Sequence, residues 1–270
     1  MLMASQKISE TLDKDIIIKG LGSSLFSKNL VFHERINSTN ALAKELALKD
    51  APEGTLIIAE EQTAGKGRLD RKWLSPGKEN LLFTILLRPP LDADNVFLLT
   101  MILAVSVIDA VKEMTGIDIL IKWPNDLYVK EKKLGGILTE FSIKEAIAEY
   151  VLLGLGLNVN WMPGEQDGLM YPAASILAES GLRVSRNELL TRLLKRFEAS
   201  YERTLSGKTD DLHARWNELS MVIGKDVEII AQEEVITGKA IAIDRSGALI
   251  LNNSLGEEMK ILSGDVSLRL

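Results

Sequence analysis

A buried strand that runs directly into a basic, glycine-containing loop is the feature that most constrains this chain. The apolar run Leu56–Ala59 is typical of an internal strand, and the loop Gln62–Trp73 follows it. Two glycines two residues apart allow the loop backbone to bend and to approach a ligand closely. The loop carries four cations and one carboxylate, a local charge of +3, in a chain of net charge −6. This contrast predicts a specific anion site rather than a generally basic surface.

The loop matches neither of two common phosphate-binding glycine motifs. It lacks G-x-x-x-x-G-K-[ST], which excludes a P-loop, and it lacks a G-x-G-x-x-G that opens a helix, which excludes the dinucleotide fingerprint. Taken alone, the loop is also compatible with a solvated basic surface and a Trp73 side chain packed in the core. The other polar segments of the chain therefore have to decide between the two interpretations.

Composition excludes several kinds of catalytic site. The 270 residues are 46% hydrophobic and 26% charged, which is ordinary for a globular protein with one large domain, or a large and a small one. The absence of cysteine removes disulfides, thiolate nucleophiles and zinc-thiolate sites. His33 and His213 lie far apart and have no neighbours at metal-ligand spacing, so we interpret both as structural or surface residues.

Charge and hydropathy predict a cytoplasmic protein that binds no membrane and no nucleic acid. The longest uncharged apolar run, residues 95–108, is 14 residues long, whereas a membrane span needs about 20 residues. We therefore expect a buried helix there. The N-terminus has no apolar core of the signal-peptide type. A net charge of −6 argues against non-specific binding to nucleic acid.

The first half of the chain predicts strands and helices in alternation. Residues 1–30 are a short lead segment, in which Asp15–Ile18 fits either a strand or a helical turn, and which has no room for a helix-turn-helix domain. Val31–Glu34 indicates a strand, and Ser38 stands where an N-cap would, before a helix over residues 39–47. Further expected strands are Leu81–Leu87, Ile119–Lys122, the hairpin Leu127–Phe141, and Tyr150–Val159. Expected helices are Ala93–Thr115, Ala173–Ser180, a capped helix from Ser185 to Leu205, and Asp210–Leu219.

After Ile223 the pattern changes to short strands separated by turns. This change predicts a small all-β barrel, with a boundary near Ser220. The organisation that we expect is a lead segment over residues 1–30, a catalytic domain over 31–220 and a barrel over 221–270. The five expected strands are Val227–Ala231, Val235–Ile243, Ala248–Leu251, Glu258–Leu262 and Val266–Leu270.

Four polar segments in one order resemble the biotin–protein ligases: Ser38–Asn40, Gln62–Trp73, Lys122–Asp126 and Lys133–Ile137. The resemblance runs from about residue 32 to 158 and resumes over Gly264–Arg269. It implies an α+β fold, in which a mixed β-sheet flanked by helices, as in class II aminoacyl-tRNA synthetases, precedes an SH3-like β-barrel. It also implies a monofunctional ligase, because the DNA-binding domain of bifunctional members has no counterpart here.

The implied reaction has two steps. The biotin carboxylate attacks the α-phosphate of ATP, which gives biotinyl-5′-AMP and pyrophosphate, and a lysine amine of a biotin carboxyl carrier protein then takes the biotinyl group. Both reactants of the first step are anions, so positive charge must offset their repulsion. Neither step needs a protein nucleophile, which suits a chain without cysteine.

Residue by residue, the resemblance implies a biotin site and a nucleotide site that share the basic loop. The implied biotin-binding residues are Ser38, Thr39, Gln62, Gly65, Lys66, Lys133, Gly135 and Gly136. The implied ATP- and adenylate-binding residues are Arg68, Arg71, Lys72, Trp73, Asn125 and Asn158. The residues implied for catalysis are Lys133, Arg68 and Asp126. The ATP phosphates would carry most of the Mg²⁺ coordination, with Asp126 as a candidate ligand.

Several of these residues also have purely structural interpretations. Ser38 and Thr39 suit a helix cap without any ligand role. Asp126 suits a turn in which it accepts hydrogen bonds from backbone amides. Without the resemblance, Lys133 would be an ordinary charge near a hairpin tip, like Lys132. Trp123, in the same turn as Asp126, we interpret as core.

One position departs from the family pattern. Where the usual motif reads Gly-Arg-Gly-Arg, Lys66 replaces the first arginine. Lysine keeps the charge but loses the planar bidentate fork of arginine. The contact made by Lys66 therefore stays open, whereas the prediction of an anion-binding loop does not depend on it.

Two other functions remain compatible with the sequence. A lipoate–protein ligase shares the fold and the adenylate chemistry, but it would need a long apolar tunnel in place of polar partners for a ureido ring. A non-catalytic ligand sensor would release no pyrophosphate. The oligomeric state is left open by the residues, although the family habit suggests a homodimer.

Overall fold

The computed structural model describes residues 11–69, 71–164, 172–231, 234–253, 255–262 and 264–268. Two sheets organise these residues, one of seven strands and one of five. The strands of the first sheet are β1 (Leu30–Ile36), β2 (Thr55–Gln62), β3 (Leu81–Leu87), β4 (Leu120–Lys122), β5 (Asp126–Val129), β6 (Lys132–Lys144) and β7 (Ile147–Leu157). The helices are α1 (Lys14–Leu21), α2 (Thr39–Ala47), α3 (Phe97–Thr115), α4 (Ile176–Ser180), α5 (Arg186–Leu205) and α6 (Asp210–Leu219).

The seven-stranded sheet is mixed and has the order β1-β2-β3-β7-β6-β5-β4. β1 and β2 run parallel, and the remaining neighbours pair antiparallel. The central strand β3 is buried along its whole length, as its sequence LLFTILL predicts. The predicted α+β architecture is confirmed, and the strands predicted in the first half of the chain occur with shifts of a few residues at their ends.

Helices cover both faces of this sheet. Ala43 and Ala47 of α2 pack with Ile57 and Leu86 on one face. The other face carries α3 and α5, which pack against each other. The segment 93–115 is long and apolar enough to cross a membrane by composition, and 72% of its most apolar window is buried inside the structure. Gly116 ends α3 in the left-handed conformation, with φ of 76°.

The lead segment contributes to the core. Residues 1–10 lie outside the described residues, but residues 14–21 form α1, so Asp15–Ile18 is helical rather than extended. Asp13 caps this helix by accepting hydrogen bonds from the backbone amides of residues 15 and 16. The side chains of Leu12, Ile17 and Leu21 are buried, and α1 packs against α5.

The predicted helix Ala173–Ser180 begins later than expected, at Ile176. The residues before it run parallel to β6 instead. The Lys133 amide donates to the Pro172 carbonyl at 2.9 Å, and the Ala174 amide donates to the Lys133 carbonyl at 2.8 Å. This pairing holds Ala173 in an extended conformation, and Ser175 becomes the N-cap of α4.

The second sheet has the order β11-β10-β9-β8-β12 and is antiparallel. Its strands are β8 (Asp226–Ala231), β9 (Glu234–Ile243), β10 (Leu249–Asn252), β11 (Glu258–Ile261) and β12 (Asp265–Leu268). The five predicted strands are therefore present. Arg269 and Leu270, at the end of the last predicted strand and of the C-terminal motif, lie outside the described residues.

The small sheet is fastened to the large one by buried contacts. The indole Nε1–H of Trp123 donates to the Gly247 carbonyl at 2.9 Å, and Trp123 is 2% exposed, so the interpretation of Trp123 as core is confirmed. A Cβ at Gly247 would lie 1.9 Å from the Phe97 ring. The turn of the small domain therefore requires glycine at this close approach.

A buried ion pair ties the start of α5 to the end of β2. Arg186 is 1% exposed and Glu60 is 3% exposed, and their closest N–O distance is 2.6 Å. Glu60 also accepts the Leu12 amide at 2.6 Å, and Arg186 donates to the Asn80 carbonyl at 2.9 Å. The pair thereby connects the N-terminal segment with two strands of the sheet.

We expect Arg186→Met to lower the free energy of unfolding by about 3–5 kcal/mol, because it leaves the Glu60 carboxylate buried without its partner. Urea denaturation followed by circular dichroism measures this loss. The control is Arg183→Met, since the Arg183–Glu79 pair is 37% and 34% exposed and should contribute about 1 kcal/mol or less. Equal losses in the two variants would contradict the assignment.

Candidate functional site

A cavity of about 470 Å³ opens where the basic loop, α2 and the ends of several strands meet. Its walls come from the N-terminus of α2, the loop after β2, the β4–β5 turn, β6 and the end of β7. Val266 and Ser267 of the small sheet complete the wall. The site therefore needs both sheets.

The N-terminus of α2 forms a polar corner of the cavity. Ser38 caps the helix, and its hydroxyl accepts a hydrogen bond from the Ala41 amide at 3.4 Å. Gln62 turns its side-chain carbonyl to the helix, where it accepts from the Thr39 amide at 2.7 Å and lies 3.1 Å from the Thr39 hydroxyl. Ser38 and Thr39 are 3% exposed. Ser38 therefore both caps α2 and lines the cavity.

The basic loop folds back on itself as a narrow ribbon. The backbones of Lys66 and Lys72 pair as an antiparallel β-bridge. On either side of it, the Gly67 amide donates to the Arg71 carbonyl at 2.7 Å, and the Trp73 amide donates to the Gly65 carbonyl at 2.9 Å. A Cβ at Gly65 would lie 2.7 Å from the Trp73 carbonyl. Glycine is required there because the two limbs of the ribbon come so close.

Arg68 fastens this ribbon to the rest of the site. Its guanidinium donates to Asn125 Oδ1 at 3.3 Å and to the Gly264 carbonyl at 3.5 Å. The side-chain NH₂ of Asn125 in turn donates to the Ile137 carbonyl. The backbone carbonyl of Asn125 accepts a hydrogen bond from the Ile137 amide. One side chain therefore links the loop, the β4–β5 turn and the small domain.

The Trp73 indole packs closely against β7 at Gly156. A Cβ at Gly156 would lie 2.5 Å from the indole ring, so glycine makes room for the tryptophan. The indole Nε1 is buried and has no hydrogen-bond partner in the described part of the protein. A buried donor without a partner costs free energy, so this N–H indicates a position for a ligand acceptor.

Asn158 lies just beyond β7 and has a buried acceptor without a partner in the described residues, whereas Trp73 has a buried donor. Its side-chain NH₂ donates to the Ala174 carbonyl at 2.9 Å, whereas its Oδ1 is buried and without a partner among the described residues. The side chain is 3% exposed. The amide is therefore oriented by the segment that leads into α4, and its oxygen indicates a position for a ligand donor.

Lys133 and Asp126 form an ion pair on the cavity wall. The Lys133 ammonium lies 2.7 Å from Asp126 Oδ2, and their side chains are 27% and 25% exposed. The same ammonium lies 5.8 Å from the centre of the Trp73 ring. A Cβ at Gly136 would lie 3.1 Å from Asp126 Oδ1 and 3.5 Å from Lys133 Nζ, so this glycine leaves room for the pair.

The cavity is strongly cationic. Asp126 is the carboxylate on its described wall, and the cations are Lys66, Arg68, Arg71, Lys72, Lys122 and Lys133. Within the described ranges, there is no group of three or more His, Asp or Glu side chains that could hold a metal ion. The arrangement suits a bound anion with several negative oxygens.

Nearly all the residues predicted for the site line this cavity. The exceptions are Gly65, which lies under the Trp73 carbonyl, and Gly135, whose missing Cβ faces the Gly156 carbonyl at 2.9 Å. The pair Gly135 and Gly136 thus divides into one glycine that packs on β7 and one that faces the cavity. Asp70, included in the predicted loop charge, lies outside the described residues.

The sequence interpretation assigned no individual role to several residues of the wall. Asn40 and Gly154 line the cavity, as do Val266 and Ser267. Thr84 lies behind the wall and bonds to Thr39 and Asn40. One signal was available for Thr84, because it is the polar residue in the otherwise apolar run of β3. The signal available for Val266 was the C-terminal motif Gly264–Arg269, but the motif alone does not show that this strand of a different sheet reaches the cavity.

Comparison with known proteins places this geometry in a family. Residues 32–158 match the biotin/lipoate A/B protein ligase family, and residues 222–269 match the biotin protein ligase C-terminal domain. The chain is 34% identical to the bifunctional ligase/repressor BirA of Bacillus subtilis over 250 residues, which covers 92% of this chain and 77% of the relative. It is 31% identical to the biotin–[acetyl-CoA-carboxylase] ligase of Paracoccus denitrificans, over 83% of this chain and 95% of that one.

A solved structure shares the fold at similar identity. The biotin protein ligase from Aquifex aeolicus in complex with biotin and ATP superposes with a TM-score of 0.76 and 31% identity, over 90% of this chain and 99% of the other. The fold that carries both sheets is therefore shared with a solved biotin protein ligase. Family pattern, sequence identity and fold agree, and this chain belongs to the biotin protein ligases.

Proposed function

We propose that the cavity activates biotin as biotinyl-5′-AMP and then transfers the biotinyl group to a lysine of a biotin carboxyl carrier protein or domain. One observation carries this proposal: a single cavity holds the polar corner at α2 and the cations of the basic loop. A small neutral polar ring and a polyphosphate would therefore lie in the same enclosed space. Holding both reactants together removes much of the entropic cost of their encounter.

The polar corner suits the ureido ring of biotin. A ureido group has two N–H donors and one carbonyl acceptor, and Ser38, Thr39 and Gln62 offer hydroxyl and amide groups of both polarities. Lys66 lines the same cavity and adds a positive charge to it. Lipoate would need a long apolar tunnel, whereas this end of the cavity is a buried polar corner.

The other end suits an adenine nucleotide. Asn158 Oδ1 would accept a hydrogen bond from the exocyclic amine of adenine, and the Trp73 ring offers a flat surface for packing. Arg68, Arg71 and Lys72 would contact the phosphates. Asn125, which already holds Arg68 at 3.3 Å, would place that guanidinium.

Lys133 is the residue that we assign to the reacting groups. Its ammonium would contact the biotin carboxylate and then the adenylate phosphate, offsetting negative charge as the two anions meet. Asp126, 2.7 Å away, holds this ammonium in place before the substrates bind. The pair therefore positions the lysine, and the reaction needs no nucleophile from the protein.

Magnesium enters this proposal with the nucleotide. Asp126 is already bound to Lys133, and the remaining charged side chains of the described wall are cations. These described residues do not form a resident metal site. Mg²⁺ prefers phosphate oxygens and water, so we assign it to the ATP substrate, where it would neutralise phosphate charge.

The partners that we propose are a carrier protein, biotin and ATP, with no membrane or nucleic acid, and a cytoplasmic location. The support is the net charge of −6 and the family itself. A homodimer is part of the same proposal, and its test is the mass measured by light scattering.

The decisive experiment is ATP–pyrophosphate exchange with purified protein. We expect exchange that depends on biotin and is absent with lipoate, followed by transfer to a biotin carboxyl carrier domain. Exchange with lipoate instead would favour a lipoate ligase. Tight biotin binding without any exchange would favour a non-catalytic sensor. Either result would overturn the proposal.

We also expect no sequence-selective binding to duplex DNA, because the net charge of −6 opposes the phosphate backbone. Fluorescence anisotropy with labelled duplexes, at physiological salt and with biotin and ATP present or absent, measures this. Tight binding that appears only with both ligands would show that the protein is also a repressor.

A further inference from the structure

The β4–β5 turn, which carries Asn125 and Asp126 at the cavity, is anchored outside its own sheet by one buried side chain. The indole of Trp123 is 2% exposed and belongs to the hydrophobic core. Its Nε1–H donates to the Gly247 carbonyl of the small domain at 2.9 Å. Trp123 therefore connects a turn of the site with a turn of the other sheet, 124 positions later in the chain.

The turn Asp244–Gly247, which supplies this acceptor, is shaped by its own hydrogen bonds. Asp244 Oδ1 accepts from the Ser246 amide at 2.8 Å, from the Ser246 hydroxyl at 2.8 Å and from the Ala248 amide at 3.0 Å. The Gly247 amide donates to the Asp244 carbonyl at 3.0 Å. One carboxylate thus determines the form of the turn, and with it the direction of the Gly247 carbonyl.

Neighbouring helices also enclose this turn. A Cβ at Gly247 would lie 1.9 Å from the ring of Phe97, at the start of α3. The Phe97 ring packs edge-on against Trp216 of α6, with 5.6 Å between the ring centres. Asn217 Oδ1, also on α6, accepts the Ile243 amide just before the turn at 3.2 Å. Because close packing leaves little room for displacement, the Gly247 carbonyl is a fixed acceptor.

The residues that follow Trp123 hold two cations of the site. Asn125 Oδ1 accepts from the Arg68 guanidinium at 3.3 Å. Asp126 Oδ2 lies 2.7 Å from the Lys133 ammonium. Both partners lie within three positions of the anchored indole. A shift of this turn would therefore displace the partners of both cations together.

We propose that Trp123 and the small-domain turn Asp244–Gly247 form a positioning unit for adenylation, which places the partners of the two cations. Their hydrogen bond fixes the β4–β5 turn before the substrates bind, as a preorganised site requires. The inference rests on the proposed function, because the position of this turn affects catalysis only if the cavity joins biotin to ATP. It adds to that function a role for a turn whose described residues do not line the cavity.

Trp123→Phe is the first test variant, because it removes the indole N–H but keeps an aromatic ring in the core. We expect the KM for ATP in pyrophosphate exchange to rise about fivefold or more, the size expected when a buried hydrogen bond is lost. The Kd for biotinamide, measured by calorimetry, should change by less than about twofold, because its uncharged end does not need Lys133. A general loss of structure would change both constants.

Trp216→Phe is the matched control. Trp216 is fully buried, as Trp123 is, but its indole N–H has no hydrogen-bond partner in the part of the chain that the structure describes. Both variants lose the same atoms from the core, so we expect similar losses of thermal stability. Only Trp123→Phe should raise the KM for ATP.

Asp244→Ala tests the same unit from the small domain, and it does so even if Trp123→Phe does not fold. It removes the acceptor that shapes the turn, from a side chain that is 26% exposed, and it should also raise the KM for ATP. In the double variant, the KM should stay within about twofold of the stronger single variant, because both changes act through one hydrogen bond. The control is Arg245→Ala, which removes an exposed ion pair with Asp210 from the same turn and should leave both constants unchanged.

Three results would overturn the inference: equal rises of the KM for ATP in the two tryptophan variants, additive effects in the double variant, or an unchanged KM in Asp244→Ala. Wild-type exchange with biotin is measured first. A wild type without exchange contradicts the proposed function, whereas an active wild type with insensitive variants contradicts only this inference.

Discussion

Lys133→Ala is expected to abolish formation of biotinyl-5′-AMP. The ammonium lies on the cavity wall 2.7 Å from Asp126 and is about one-quarter exposed, so its charge acts in a partly desolvated site. The variant removes the cation that meets the biotin carboxylate and leaves Asp126 as an uncompensated negative charge. Loss of one donor to a developing charge lowers kcat by about 10²–10³-fold, and the unpaired carboxylate adds to this. Biotin-dependent ATP–pyrophosphate exchange measures the effect.

Lys132→Ala is the matched control for this loss. Lys132 precedes Lys133 on β6, but its side chain is 52% exposed and pairs with Glu179 outside the cavity. We expect exchange close to wild type, since Lys132 does not line the cavity and the Glu179 carboxylate keeps Lys130 as a second cation partner. Near-normal exchange in Lys133→Ala, or equal losses in both variants, would contradict the role assigned to Lys133.

Arg68→Gly is expected to retain some adenylate synthesis but to release biotinyl-5′-AMP early. Arg68 fastens the basic loop to Asn125 and to the Gly264 carbonyl of the small domain. The variant removes these contacts and adds a third glycine to a loop that already contains Gly65 and Gly67. Ordering each backbone residue costs about 1–2 kcal/mol, so both changes favour an open loop that no longer shields the mixed anhydride.

Two readouts follow this release: the off-rate of the adenylate and biotin transfer to an unrelated lysine-rich protein. Both should rise in Arg68→Gly. Lys78→Gly is the control, because it also replaces a cation by glycine nearby, at an exposed position with φ of 65° that suits glycine. If Arg68→Gly holds the adenylate as long as wild type and labels no bystander, the loop is not a lid.

Local sequence determined the elements of this protein. The apolar run of β3, the Ser38 cap of α2 and the left-handed Gly116 after α3 each depend on residues within one or two turns. The same holds for the charge of the basic loop. Where the local pattern was weaker, contacts between distant residues decided the conformation. The sequence predicted a helix from Ala173, but Ala173 is extended because it pairs with Lys133 of β6, which is distant in the sequence.

The resemblance to a known family identified most of the site residues, but the tertiary structure decided which contacts those residues make. Gly136 faces the cavity whereas Gly135 packs on β7, which depends on the register between β6 and β7. Arg68 meets Gly264 across 196 positions of the chain. Thr84 connects to Asn40 and, through it, to Glu140 because β3, β7 and β6 are neighbours. Local propensity acts over a few residues, whereas strand order and register bring distant side chains within hydrogen-bond distance, so only the folded chain determines these contacts.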